Sequence, residues 1–257
     1  MRIISLCVDG IKQAAKRGFY DWVVNQDADI ICIQDIRAWE GQLYDQEKIF
    51  FPKEYHGYFF DAADENFSGV AIYCRKPPKA IMTGLGFPTA DLEGRYIQAD
   101  YDEISIGSIL APCATEQTQS QEHKIEFFDD LQAHLNKITR KRREYVICGN
   151  WNMAHTKKDV QNWETNQNNS GFLPHERQWM DQLYNQLGYV DAFRHCTLDG
   201  DEYTWWPSGT HGEGEGWRVD TQVVSGGFRQ RVEYASIYKN QAFSSHAPVI
   251  VDYDYEL

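Results

Sequence analysis

MRIISLCVDG IKQAAKRGFY DWVVNQDADI ICIQD, residues 1–35, sets two apolar runs on either side of a helical spacing. Ile3 to Val8 reads as a buried strand that Asp9-Gly10 closes. Ile11, Ala14, Ala15, Phe19, Trp22 and Val23 then recur at helical intervals across residues 11–25, despite Gly18. Asp29 to Gln34 is a second buried strand. A strand–helix–strand opening of this kind belongs to the α/β classes, because parallel neighbours need a crossover.

Further along, strands are predicted at 69–75, 96–101, 104–110 and 145–149, and then at 202–206, 218–224, 233–237 and 249–254. Two helices are predicted, over 122–139 and 174–187. In the first, Ile125, Phe128, Leu131, Leu135 and Ile138 share one face, and in the second Pro174 suits the first turn. Residues 114–122 and 156–170 read as loops, the latter in part as a helix over 156–164. With no repeat and no linker, residues 1–257 read as one α/β (α+β) domain.

The 257 residues carry 38 acidic and 25 basic side chains, a net charge of −13. Such a chain repels phosphate backbones at long range, so nucleic acid would need a local basic patch or a positively charged partner. The six cysteines, Cys7, Cys32, Cys74, Cys113, Cys148 and Cys196, form no C-x-x-C pair and no zinc-ligand spacing; they read as reduced structural thiols. No apolar run approaches the ~20 residues of a membrane span, and MRIISLCVDG lacks a secretory pattern, so the expected location is cytoplasmic.

Seven short segments, in order, carry a resemblance. They are Cys7-Val8-Asp9-Gly10, Ile33-Gln34-Asp35, Gly149-Asn150-Trp151-Asn152, Phe172-Leu173-Pro174 with Glu176-Arg177, Asp191 to His195, Trp217-Arg218-Val219-Asp220 and Ser244 to Pro248. Together they resemble the exonuclease III type of the endonuclease/exonuclease/phosphatase family, where the corresponding patterns are N-x-N-G, L-Q-E, G-D-x-N, R-[IV]-D and S-D-H-A-P. The resemblance implies a four-layered α/β sandwich, two packed β-sheets flanked by helices.

It also implies a site that needs a carboxylate for Mg²⁺, a carboxylate to activate water and a charged histidine facing phosphate. Against that pattern Asp35 is one methylene short of Glu. Cys7 stands for Asn, Asn150 for the water-activating Asp, Ser245 for the Asp of the D-H pair, and Leu110 for a common Tyr. Asp35, Asn152, Asp220 and His246 remain as a vestigial pocket, and His246 is expected to lack its anion. Losing one acid–base group costs on the order of 10²–10⁴ in rate. The expectation is a protein that is not an enzyme and holds no cofactor.

Within the family the chain is most similar to the catabolite repression control group, through Lys141 to Tyr145, Asn162-Trp163, Tyr203 to Pro207 and His246 to Asp254. That similarity implies a post-transcriptional regulator of carbon catabolite repression that works with the RNA chaperone Hfq on A-rich mRNA and binds RNA weakly alone. The candidate contacts are Arg140, Lys141, Arg142 and Arg143, with Arg229, Arg231 and Trp163. Each also has a plainer reading, as a solvated helix end, surface charge or a loop staple. The competing function is a Mg²⁺-dependent phosphodiesterase or abasic-site endonuclease with an altered site, which would use Asp35, Asn152, Asp220 and His246.

Overall fold

A strand buried on both faces needs cover on both sides. The computed structural model, which describes residues 1–114 and 120–257, supplies that cover as four layers. The strands are β1 (Arg2–Cys7), β2 (Ile30–Gln34), β3 (His56–Phe60), β4 (Val70–Cys74), β5 (Ala80–Thr83), β6 (Tyr96–Asp100), β7 (Ile104–Leu110), β8 (Glu144–Asn150), β9 (Val190–Asp191), β10 (Asp220–Val224), β11 (Val232–Ile237) and β12 (Val249–Tyr253). One sheet runs β11-β12-β1-β2-β4-β3 and the other β5-β6-β7-β8-β10-β9. Each is mixed. β1 and β2 are parallel, as are β7 and β8, and the other pairs are antiparallel.

Alternate residues of each strand fill the space between the sheets, with Ile3, Cys32 and Ile72 meeting Ile106, Val146 and Val224. The opposite faces take the helices. Ile11, Ala14 and Phe19 cover Ile4 and Ile31 on the first sheet. Phe127, Leu131, Trp179 and Leu183, from the helices Gln121–Ile138 and Pro174–Asn185, cover Ile109 and Ile147 on the second. Burying each large side chain contributes roughly 1.5–3 kcal/mol, so these interfaces, rather than helix propensity, hold the layers together. Two buried glutamines link the sheets. Gln34 donates to Ser108 Oγ at 2.9 Å, and Gln222 donates to the Ile3 carbonyl at 3.0 Å while accepting from Tyr253 Oη at 2.8 Å.

The four-layered sandwich is the fold class expected from the sequence, and four local readings change. The helix expected over 11–25 is two pieces, Ile11–Lys16 and Phe19–Val23, broken where Gly18 turns left-handed at φ 87°. The run 202–206 forms no strand. Trp205 makes single bridges to Trp217 and His246 instead. Strands β3, β5 and the two-residue β9, absent from the sequence reading, are edge strands, and β3 and β5 are only partly covered. Of the loop expected at 114–122, residues 115–119 lie outside the described residues, and residues 121–122 already belong to the long helix that Ser120 caps. Among the described residues no helix is long and apolar enough to cross a membrane.

Candidate functional site: a pocket where the two sheets end

The register puts the ends of five strands side by side. Cys7 pairs with Gln34 across β1 and β2, and Asn150 pairs with both Leu110 and Asp220 across β7, β8 and β10. The turns just beyond these ends carry Asp9, Asp35 and Asn152, and His246 lies just before β12. A cleft of about 170 Å³ opens there, lined among others by Cys7, Asp9, Asp35, Asn150, Asn152 and His246, with Trp205 and Trp217 as aromatic walls.

Backbone geometry explains some of the residue choices. Asp9, Asp35 and Asn152 have φ of 49°, 59° and 49°, in the left-handed region that Asp and Asn tolerate better than most residues. A short carboxylate at position 35 suits that turn. Gly149 is fixed both by its φ of 154° and by close approach, since a Cβ there would lie 1.9 Å from the Ile109 carbonyl oxygen.

Asp35, Asn152, Asp220 and His246, the residues expected to form the pocket, are brought together, but not with the connections that the sequence implied. His246 does have an anion. Its Nδ1 lies 2.8 Å from Asp220 Oδ2, with both side chains buried. The expectation that Ser245 leaves the ring unpartnered is therefore corrected: the orienting carboxylate comes from β10 across the fold, not from the neighbouring residue. Burial alone would lower the imidazole pKa, but the Asp220 charge, with Cys7 adding to it, raises it well above its ordinary value. Ser245 has a different task. Its N–H and hydroxyl donate to Asp9 Oδ2 at 2.8 and 2.5 Å. Burial works to raise the Asp9 carboxyl, and the His246 charge together with the Ser245 bonds outweighs it and holds that carboxyl low.

Asp35 forms an ion pair with Arg37 at 2.6 Å, yet burial still lifts its carboxyl above the usual range. Asn150 accepts from the Asn152 N–H at 2.8 Å and turns its amide toward Cys7 Sγ at 3.7 Å. Asn152 donates to the Ala111 carbonyl at 2.7 Å. Burial pushes the Cys7 thiol up to about 12, against the pull of His246. Read from sequence as a structural thiol, Cys7 in fact faces the pocket. Leu110 is buried at the pocket wall.

Several supporting groups were not apparent from the sequence. Asp9, in the turn that closes β1, is a pocket carboxylate. Lys124 reaches from the long helix to Glu176 at 2.7 Å and to the Asn152 carbonyl at 2.8 Å, clamping the turn beneath. Arg218 points away from the pocket into a buried network. Its Nε meets Asp159 Oδ1 at 2.7 Å and its Nη2 meets Asp191 Oδ2 at 2.8 Å, while Arg194 also holds Asp159 at 2.6 Å. No spacing rule would have flagged Lys124 or Asp159, because their partners are distant in sequence.

The basic candidates converge elsewhere. Lys141 and Arg142 line a groove with Ser225, Gly226 and Gly227, which brings the 140–143 run close to the turn that leads to Arg229 and Arg231. Arg140, Lys141, Arg142, Arg229 and Arg231 are exposed. Arg143 is not a free contact residue. Its guanidinium donates to the Tyr101 and Ile104 carbonyls at 2.9 and 3.0 Å, which makes it a staple. Arg231 is paired with Asp254 at 2.9 Å. Trp163 is half-buried under Lys157, whose Nζ sits 3.7 Å from the ring centroid. This groove lies at the Glu144 end of β8, whereas the pocket lies at its Asn150 end. At ~3.3 Å per residue the two are roughly 20 Å apart along the strand.

The family model for the Endonuclease/Exonuclease/phosphatase family matches residues 8–246. An exodeoxyribonuclease of Bacillus subtilis is 30% identical over 253 residues, covering 97% of this chain and 98% of that one. A DNA-(apurinic or apyrimidinic site) endonuclease of Dictyostelium discoideum is 32% identical, covering 99% of this chain and 71% of that one. In three dimensions an AP endonuclease from Archaeoglobus fulgidus superposes with a TM-score of 0.88 at 23% identity, covering 99% of this chain and all of that one. The chain belongs to the endonuclease/exonuclease/phosphatase family, on its exonuclease III and AP endonuclease-like side. The relatives carry the names of nucleases, which agrees better with the phosphodiesterase reading than with the regulatory one.

That membership implies Mg²⁺, a hard ion that takes oxygen ligands. The donor atoms gathered in the pocket are a thiol, a carboxylate and an imidazole, from Cys7, Asp9 and His246, all within 4.8 Å of one another. Asp35 is already neutralised by Arg37. This donor set does not fit Mg²⁺.

Proposed function

We propose that this chain is a non-cleaving member of its family that acts post-transcriptionally in carbon catabolite repression, joining the RNA chaperone Hfq on A-rich segments of mRNA to repress translation. The observation that carries this reading is Asn150. An amide stands where the family pattern places the water-activating carboxylate, and it is engaged with the Asn152 N–H and Cys7. An amide cannot take the proton that general-base catalysis requires. The remaining pocket carboxylates are held by Arg37, Ser245 and His246.

A net charge of −13 makes the chain a poor solitary RNA binder, while Lys141 and Arg142 in one groove, with exposed Arg140 and Arg229 in the adjoining segments, offer a local patch. A partner that supplies more positive surface makes up the difference. The reading is tested by fluorescence anisotropy on an A-rich RNA at ~0.15 M salt, a physiological ionic strength. The chain alone should bind no better than the ~10⁻⁴–10⁻⁶ M of nonspecific contacts, and it should add to a preformed Hfq–RNA complex. Tight binding by the chain alone, or no addition to the complex, contradicts it.

The second reading is a Mg²⁺-dependent phosphodiesterase or abasic-site endonuclease. Two observations favour it: the intact His246–Asp220 pair beside Asn152, and the nuclease names of the relatives. Against it, position 150 carries an amide where the family pattern has the water-activating carboxylate.

A further inference from the structure

The poor fit to magnesium is itself informative. We propose that the pocket holds a site for a borderline, thiophilic divalent ion of the zinc class, bound by Cys7 Sγ, the Asp9 carboxylate and His246 Nε2. The three ligand atoms lie within 4.8 Å of one another. Metal–sulfur bonds of ~2.3 Å and metal–nitrogen or metal–oxygen bonds of ~2.0 Å require closing that spread by about 1 Å, within the reach of side-chain rotation at Asp9. One thiolate, one imidazole and one carboxylate suit such an ion and disfavour magnesium. Replacing the family's Asn by Cys7 thus changes the class of ion the site takes, so the proposed ligand set differs from the family's own.

Surrounding groups already hold the ligands as a metal site needs. His246 commits Nδ1 to Asp220, which fixes the ring with Nε2 as the remaining donor atom; a carboxylate behind a ligating histidine orients it and raises its basicity. The Oδ1 atom of Asp220 is buried with no hydrogen-bond partner. Ser245 takes only Oδ2 of Asp9, leaving Oδ1 for a cation. Asn150 turns its amide toward the Cys7 sulfur at 3.7 Å, a contact that favours a thiolate. Three protein ligands at the wall of an open cleft leave a fourth position for water or an anionic oxygen. On binding, the Cys7 S–H and the Nε2–H of the charged His246 ring both break, the two protons pass to buffer, and metal–sulfur and metal–nitrogen bonds form with no change of oxidation state.

Cobalt(II) is the probe, because thiolate ligation gives a charge-transfer absorption that oxygen and nitrogen ligands do not. Chelator-treated, reduced protein titrated with Co²⁺ should develop that band to one equivalent. One equivalent of Zn²⁺ should abolish it, and excess Mg²⁺ should leave it intact. Cys7→Ser should lose the band, whereas Cys113→Ser and Cys196→Ser, at the two thiols with solvent exposure, should keep it. Asp220→Asn should keep the band and weaken binding roughly 10–100-fold. If Cys7→Ser proves unfolded by circular dichroism, Asp9→Asn decides: the same band with at least tenfold weaker affinity supports the site. No band at one equivalent, a band that survives in folded Cys7→Ser, or unchanged affinity in Asp9→Asn overturns the proposal. These readouts are independent of RNA binding, so the site and the regulatory reading can fail separately.

Discussion

Asp159 is fully buried, and its charge answers two guanidiniums. Asp159→Asn preserves shape and removes that charge. Breaking one side of a buried ion pair costs about 3–5 kcal/mol, because the opposite charge is left buried without compensation. Arg218 would keep Asp191 at 2.8 Å, which places the loss near the lower end, about 3 kcal/mol. At roughly 2–4 °C per kcal/mol for a chain of this size, the melting temperature should fall by about 6–12 °C. The pH dependence adds a second check. Burial acts to raise the Asp159 carboxyl, but Arg218 and then Arg194 overcome it and hold the group far below the usual carboxylate range. A depressed folded value means that the stabilisation is complete above the unfolded value of about 3.9 and is lost as pH falls toward the folded one. Urea melts of both proteins at a series of pH values should show a constant gap from pH 7 to about 5. Below pH ~4 the gap should shrink by roughly 1.4 kcal/mol per unit. A neutral-pH gap under ~1 kcal/mol, or one that does not change with pH down to 3, would refute the assigned network.

Other expectations follow from single contacts. Gly149→Ala forces a methyl against the Ile109 carbonyl oxygen and should destabilise the fold by at least ~2–3 kcal/mol, which chemical denaturation would measure; a neutral effect would mean that β7 and β8 do not approach as described. Reversing charge at Arg140, Lys141 and Arg142 should leave the melting temperature within about 2 °C, as surface changes do. If all three touch phosphate, the same variant should lower the salt slope of complex assembly on RNA by about 2. Arg143→Ala should act differently and lower stability, since its guanidinium holds the Tyr101 and Ile104 carbonyls, and calorimetry separates the two outcomes. Lys124→Ala strands the buried Glu176 carboxylate and should cost about 3 kcal/mol in a urea melt; a smaller loss in Lys124→Met would fit a pair that apolar packing can replace.

The apolar runs at 3–8, 29–34, 69–75 and 104–110 were legible as strands because both their faces are buried, so the pattern is continuous. His56–Phe60 and Ala80–Thr83 were not, because edge strands carry mixed patterns and exposed faces. The Tyr203-Thr204-Trp205-Trp206 run has high strand propensity, yet it forms a loop wall whose bridges depend on Trp217 and His246. Motif spacing located the pocket residues but misread their connections. Sequence adjacency suggested that His246 depends on position 245, whereas its partner, 26 residues earlier, arrives through the pairing of β8 with β10. Asp9 looked like part of a turn because nothing local shows that its carboxylate meets Ser245 from the far end of the chain. Arg143 looked equivalent to its basic neighbours, and only its carbonyl partners distinguish it.

Whether the pocket activates water tests the proposed non-cleaving function most directly. Single-turnover assays on an abasic-site DNA duplex and on RNA, with Mg²⁺ or Mn²⁺ and enzyme in excess, compare the wild-type chain with His246→Gln. The account predicts that both are indistinguishable from buffer. Cleavage by the wild type that disappears in His246→Gln would contradict it and would make the chain a nuclease whose water-activating group is something other than residue 150.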